Sequence, residues 1–139
     1  MGAIDDYCVA SQANDMDGLM RTLAPDVELV SPLSGRLVFR GREDLSVLLR
    51  AVYATLRDLR WSGHLEDGGN GLVIARARVG PFRIDDAMVF ELGPDGLIDR
   101  MRPHLRPWLA MTFFALLLGG RMAGHPRVLW RALLAPARR

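Results

Sequence analysis

Residues 82–105 read FRIDDAMVFELGPDGLIDRMRPHL, two apolar-rich runs around Gly93-Pro94-Asp95-Gly96. Proline presets φ, aspartate bonds its own backbone and glycine accepts a positive φ, so Pro-Asp-Gly predicts a tight turn between two antiparallel strands. Strict alternation along the first strand puts Phe82, Ile84, Asp86, Met88 and Phe90 on one face. One carboxylate among four large apolar side chains is the most chemically suggestive pattern in the chain.

Working upstream, residues 72–79 alternate small apolar Val73, Ala75, Ala77 and Val79 with the arginines Arg76 and Arg78, a strand with one packed face and one facing solvent or a partner subunit. A further strand is expected near residues 60–66, before the turn Asp67-Gly-Gly-Asn-Gly. Gly41 opens a helix over residues 42–59, with Glu43 and Asp44 favourably placed in its first turn and a stripe of Leu45, Leu48, Leu49, Val52, Leu56 and Leu59. Residues 27–32 form a short strand whose inward positions are Val27, Leu29 and Ser31, ended by Pro32; a small strand is expected at 37–40. The chain begins with a helix over 3–14 carrying Ile4, Tyr7, Cys8 and Ser11 on one stripe. A short second helix is capped at Asn14-Asp15. The order is helix, helix, strand, helix, then four antiparallel strands: an α+β fold, a curved antiparallel sheet wrapped around N-terminal helices to leave a cone-shaped cavity.

At 139 residues, half of them hydrophobic, the chain has the size of one globular domain. Its net charge of +2 conceals an asymmetry. Residues 1–99 hold all sixteen acids against ten arginines, whereas residues 100–139 hold eight arginines and no acid. There is no lysine, so every basic group is a guanidinium. No nucleic-acid motif accompanies the charge, and nucleic acid is not an expected partner. The lone Cys8 allows neither an internal disulfide nor a cysteine metal site. His64, His104 and His125 have no ligand spacing, so no metal and no cofactor are expected. The acidic N-terminal segment lacks the apolar core of a signal peptide, and a cytoplasmic location is the expectation, with membrane association through the C-terminal segment as an option.

The residues Tyr7, Asn14-Asp15-Met16-Asp17-Gly18, Leu23-Ala24-Pro25-Asp26-Val27-Glu28, Ser31-Pro32, Gly41-Arg42-Glu43-Asp44-Leu45 and the hairpin over 90–101 resemble the nuclear transport factor 2-like superfamily. That superfamily is the α+β cone shared by ketosteroid isomerase, scytalone dehydratase, limonene-epoxide hydrolase and the SnoaL-type polyketide cyclases. The resemblance covers roughly residues 3–105 and implies the fold more sharply than the activity. It places Tyr7 where ketosteroid isomerase has the tyrosine that donates to the dienolate oxygen. It places Ser31 where that enzyme has its aspartate base, and Met88 where it has a protonated acid. A hydroxyl and a thioether replace neither group, so steroid isomerisation is not implied. The Arg-x-Asp pattern of the hydrolases is absent at its place, where Arg76-Ala77-Arg78 stands; Arg83-Ile84-Asp85 has the spacing one strand later.

The remaining candidates are Asp86, Tyr7 and Asp99 as catalytic groups. Burial raises the pKa of an aspartate towards neutrality and suits Asp86 to acid or base work; a bulge after Gly80-Pro81 would instead turn Asp85 inward. Tyr7 brings a hydroxyl that needs a partner when buried. Asp99 shares parity with Met101 on the last strand. Ser31, Trp61, Met88, Phe90 and Met101 are expected to line the cavity and bind substrate. The expected ligand is an apolar polyketide-, steroid- or terpene-like molecule, acted on by a small cofactor-independent isomerase, cyclase or related hydrolase, or merely held by a non-catalytic binding module. The resemblance also implies a homodimer.

Residues 1–105 thus form the cone and 106–139 an extension. Residues 108–118, WLAMTFFALLL, are apolar all round but rise only about 16 Å as a helix, short of a bilayer core of roughly 30 Å. After Gly119-Gly120, a basic amphipathic helix follows from His125-Pro126, with Arg127 and Arg131 opposite Val128, Leu129, Ala132 and Leu133. Packing on the body or a partner, a lid over the cavity, and peripheral membrane docking all fit this pattern.

Overall fold

The Gly93 turn forms as its residues dictate. In a computed structural model describing residues 2–134, the Gly96 amide bonds the Gly93 carbonyl at 3.0 Å, Gly96 sits at φ +79°, and Asp95 Oδ1 accepts from the Leu97 amide at 3.1 Å. The turn joins β5 (Phe82–Leu92) to β6 (Ile98–Arg102). Around them the chain runs α1 (Ala3–Gln12), α2 (Met16–Arg21), β1 (Leu23–Val30), β2 (Val38–Arg40), α3 (Arg42–Thr55), β3 (Arg57–Asp67) and β4 (Asn70–Val79). After β6 come β7 (Leu105–Arg106), α4 (Trp108–Met122) and α5 (Pro126–Leu134). The last five residues of the expected extension, Arg138 and Arg139 among them, lie outside the described residues.

One curved sheet takes the strands in the order β2-β1-β6-β5-β4-β3, with β7 pairing on β5. Tyr7 and Ile4 of α1, Leu45 and Leu49 of α3, and Phe90 and Met101 of the hairpin meet in one core on its concave side. Asp15 caps α2 by accepting from the Gly18 amide at 3.0 Å. Asn14 stands at φ 55°, which ends α1 two residues before its expected limit.

Three expectations need correcting. The helix expected over 42–59 ends at Thr55, because Leu56 turns extended (φ −83°, ψ 142°) and Asp58 adopts φ 55°. Leu56 and Leu59 therefore reach the interior from the start of β3, at spacings that continue the helical period by coincidence. The sheet is not antiparallel throughout: β1 runs parallel to β6, with Leu29 opposite Met101. The expected last strand over 97–105 is two strands, since Pro103 has no amide to donate and the ladder resumes only at Leu105.

The C-terminal helices pack on this body. Ala110 and Phe114 of α4 join Ala77, Val79 and Ile84 in a second apolar cluster, while Met122, Val128 and Ala132 enter the main core. Arg131 of α5 reaches back to α3, its Nε donating to Asp44 Oδ2 at 2.9 Å and its Nη2 to Oδ1 at 2.5 Å.

Candidate functional site

Between the concave sheet and helices α3, α4 and α5 lies a cavity of about 180 Å³. That exceeds the roughly 150 Å³ at which an apolar cavity takes up a small aromatic molecule. Leu48, Leu49 and Val52 of α3 form one wall, Ala75, Ala77 and Ile84 of the sheet another, and Phe114, Leu118 and Met122 of α4 a third. Among the described lining residues Asp86 is the only carboxylate, and the other polar side-chain atoms come from Ser31, Tyr53 and Trp61.

Alternation along β5 decides which of the paired aspartates turns inward. Asp85 faces outward, where the Arg76 Nε lies 3.3 Å from its carboxylate. Asp86 opposes Ala75 on β4 and Leu105 on β7, both lining residues, and points to the cavity. Its Oδ1 accepts from the His104 backbone amide at 3.0 Å, a donor shared with the Ala87 carbonyl. Desolvation by the apolar walls pushes the carboxyl up to about 7, against the smaller opposing pull of the His104 amide and imidazole.

The phenols sit behind this carboxyl as a pair. Tyr7 and Tyr53 bring their hydroxyls to 2.5 Å, and burial raises both above the usual phenol value, with the Asp86 charge adding to each shift. Only Tyr53 reaches the cavity wall; Tyr7 is fully buried behind it, its ring edge-on to Phe90 at 5.2 Å between centroids. Trp61 lines the cavity and donates its indole N–H to Ser11 Oγ at 2.8 Å, and that hydroxyl donates to the Cys8 carbonyl at 3.0 Å. Burial holds Cys8 itself up at about 12, so it stays a thiol.

The structure brings Asp86, Ser31, Trp61 and Met88 together on the lining. Ser31 Oγ accepts from the Leu33 amide at 3.1 Å, which fixes its rotamer at the wall. Phe90 and Met101 do not line the cavity: both are wholly buried in the core beneath α1. They share the inward face, but the helices fill the narrow end of the cone there. Asp99 is half-buried beside the turn at Gly93, away from the lining. His64 sits on the surface between Asp5 (2.8 Å) and Glu66 (3.1 Å). No three His, Cys, Asp or Glu side chains among the described residues gather as a metal site.

Sequence reading missed Tyr53 and the contribution of the C-terminal helices. Tyr53 had a legible signal, standing one helical turn after Leu49 on the stripe of α3. The inward positions of α4 had none, because a helix apolar on all sides does not reveal which face is buried.

The architecture has many known counterparts. An uncharacterised bacterial protein with a cystatin-like fold from Silicibacter pomeroyi DSS-3 superposes with a TM-score of 0.86 at 18% identity, covering 94% of this chain and 93% of that one. That coverage is too wide for α4 and α5 to lie outside the likeness. A steroid delta-isomerase from Pseudomonas aeruginosa gives 0.81 at 23% identity over 90% and 92% of the two chains. A SnoaL-like protein of unknown function from Burkholderia thailandensis gives 0.64 at 22% over 74% and 91%. No curated protein sequence matches the chain. The profile of the SnoaL-like domain matches residues 4–101, the stretch that builds the cone from α1 to the inward end of β6, and by that match the chain belongs to the SnoaL-like domain family of the nuclear transport factor 2-like fold.

Proposed function

We propose that the cavity binds an apolar, ring-containing ketone of polyketide, steroid or terpene type and that Asp86 moves a proton on it without a cofactor, as an isomerase or cyclase would. The observation that carries this reading is a lone carboxyl in an apolar cavity, held near pH 7 by desolvation. A base poised near neutrality accepts a proton from carbon and returns it at little cost in either direction. Both phenols stay protonated at neutral pH, so Asp86 is, among the described lining residues, the group suited to accept that proton.

In this reading Asp86 removes a proton from the carbon beside the ligand's carbonyl. The electron pair moves onto the carbonyl oxygen, and the enolate reprotonates at the same or a conjugated carbon. Tyr53 donates to that oxygen, with Tyr7 donating to Tyr53 behind it; a hydroxyl that accepts one hydrogen bond donates a stronger one. Trp61 and Met88 provide the flat apolar wall, and Ser31 a second hydroxyl at the rim. Asp99 has no part in this chemistry.

The test is exchange of α-protons for deuterium in a panel of bicyclic and steroid-like ketones, followed by NMR. The reading expects exchange that grows with pH to a plateau above about 7 and is lost in Asp86→Asn. Saturable ligand binding without exchange would leave the second reading, a carrier of apolar ligands, which Ser31 and Met88 favour by standing where the resemblance would put a base and an acid.

A further inference from the structure

Helices α4 and α5 each bury one face and turn another to solvent, and the exposed faces are apolar. On α4, Ala110, Phe114 and Met122 are buried, whereas Trp108 (72% exposed), Leu109 and Leu116 (71%) point outward. On α5, Val128 and Ala132 are buried, whereas Trp130 (63%), Leu133 and Leu134 point outward. Of the eleven large apolar side chains exposed among the described residues, seven lie on these two helices. Concentration at that level marks a surface that meets something.

The charge says what it meets. The segment carrying these helices holds eight arginines and no acid from residue 100 onward. Arg131 is committed to Asp44, but Arg121 in the last turn of α4 and Arg127 in the first turn of α5 are exposed beside the apolar positions. A second copy docking by a two-fold axis would bring like charges together, with no acid in the segment to answer them. Anionic phospholipid answers both features, with acyl chains for the apolar side chains and phosphates for the guanidinium groups. No described helix is long and apolar enough to cross a bilayer, so the helices would lie on it.

We propose that α4 and α5 form a peripheral docking surface for an anionic lipid bilayer, with Trp108, Leu116, Trp130 and Leu133 entering the headgroup–acyl boundary and Arg121 and Arg127 on the phosphates. The inference stands on exposure and charge and is independent of the chemistry assigned to Asp86.

The experiment is co-sedimentation of the full chain with vesicles of phosphatidylcholine and phosphatidylglycerol (7:3) and of phosphatidylcholine alone. Binding to the anionic vesicles is expected, at least tenfold tighter than to the neutral ones and weakened by salt. Tryptophan emission should be quenched by brominated acyl chains. Arg121→Gln with Arg127→Gln should weaken binding by about fivefold for each arginine removed. Trp108→Glu with Trp130→Glu should abolish it while leaving the circular dichroism and melting temperature unchanged, since both side chains are exposed. Equal binding to both vesicle types, no binding to either, or undiminished binding by the tryptophan double variant would overturn the proposal. So would a dimer in sedimentation equilibrium that those tryptophan substitutions dissociate while the vesicles recruit nothing.

Discussion

Two carboxylates are held in the same sheet under opposite conditions. Glu28 in β1 is 1% exposed, and its Oε1 accepts from Arg40 Nε at 2.9 Å on the neighbouring strand β2. Strand register places Arg100 of β6 on its other side. Among the described residues no guanidinium bonds the Asp86 carboxyl in β5, which meets the shared amide and the imidazole of His104 and otherwise apolar walls. The Arg40 guanidinium ties buried Glu28 to the neighbouring strand; a desolvated carboxyl with no such neighbour takes a proton near neutrality. The lesson is that burial alone marks neither a structural nor a chemical acid. The partner on the next strand decides.

The strongest challenge to this contrast is removal of each carboxylate in turn. Asp86→Asn should lower proton-transfer turnover by about 10²–10⁴-fold, the range a positioned base contributes. Its effect on stability has the opposite sign. The folded protein holds the Asp86 proton up to about pH 7, whereas an unfolded aspartate releases it near pH 4. The stabilising contribution of that proton is therefore full below pH 4 and is lost as pH rises to 7. Above pH 7 the asparagine variant should be the more stable, by at most roughly 4 kcal/mol, read from urea unfolding at pH 5 and pH 8. Glu28→Gln should cost about 2 kcal/mol of stability, since it breaks a buried ion pair whose Arg40 keeps some access to water, and should leave ligand affinity in the cavity unchanged.

A finer test is Tyr53→Phe, which removes the one phenol at the cavity wall. Turnover should fall about tenfold, the worth of one hydrogen bond that strengthens in the transition state, with ligand affinity nearly preserved in calorimetry. Tyr7→Phe should fall short of that, because the Tyr7 hydroxyl bonds Tyr53 and does not itself line the cavity. Equal losses in the two variants would place the working hydroxyl on Tyr7. The smallest effect concerns space alone. Ala77→Leu fills part of the cavity from the sheet side and should weaken binding of bulky ligands while destabilising the fold by about 1 kcal/mol.

The fold was legible because its signals are local. The Pro-Asp-Gly turn, the alternation of β4 and β5 and the stripe of α3 are each set by residues within one element. What escaped was set between elements. The parallel seating of β1 against β6 depends on which strand edge is left open, a property of no single segment. The end of α3 at Thr55 depends on a register shift against β4 between Arg57 and Arg60, invisible where Leu56 and Leu59 keep the helical rhythm. At the site, Asp86 over Asp85 follows from pleat parity and was open to reading, as was Tyr53 on its stripe. Parity names a face but not a depth, so Phe90 and Met101 looked like lining and proved to be the plug beneath it.

The most direct test of the account is the titration of the Asp86 carboxyl itself, followed by its ¹³C shift in protein labelled at aspartate and assigned by comparison with Asp86→Asn. A midpoint near 7, against about 4 for exposed aspartates, is the predicted result. A midpoint at the ordinary aspartate value would show the carboxyl to be solvated and charged, and would contradict the assignment of Asp86 as the base.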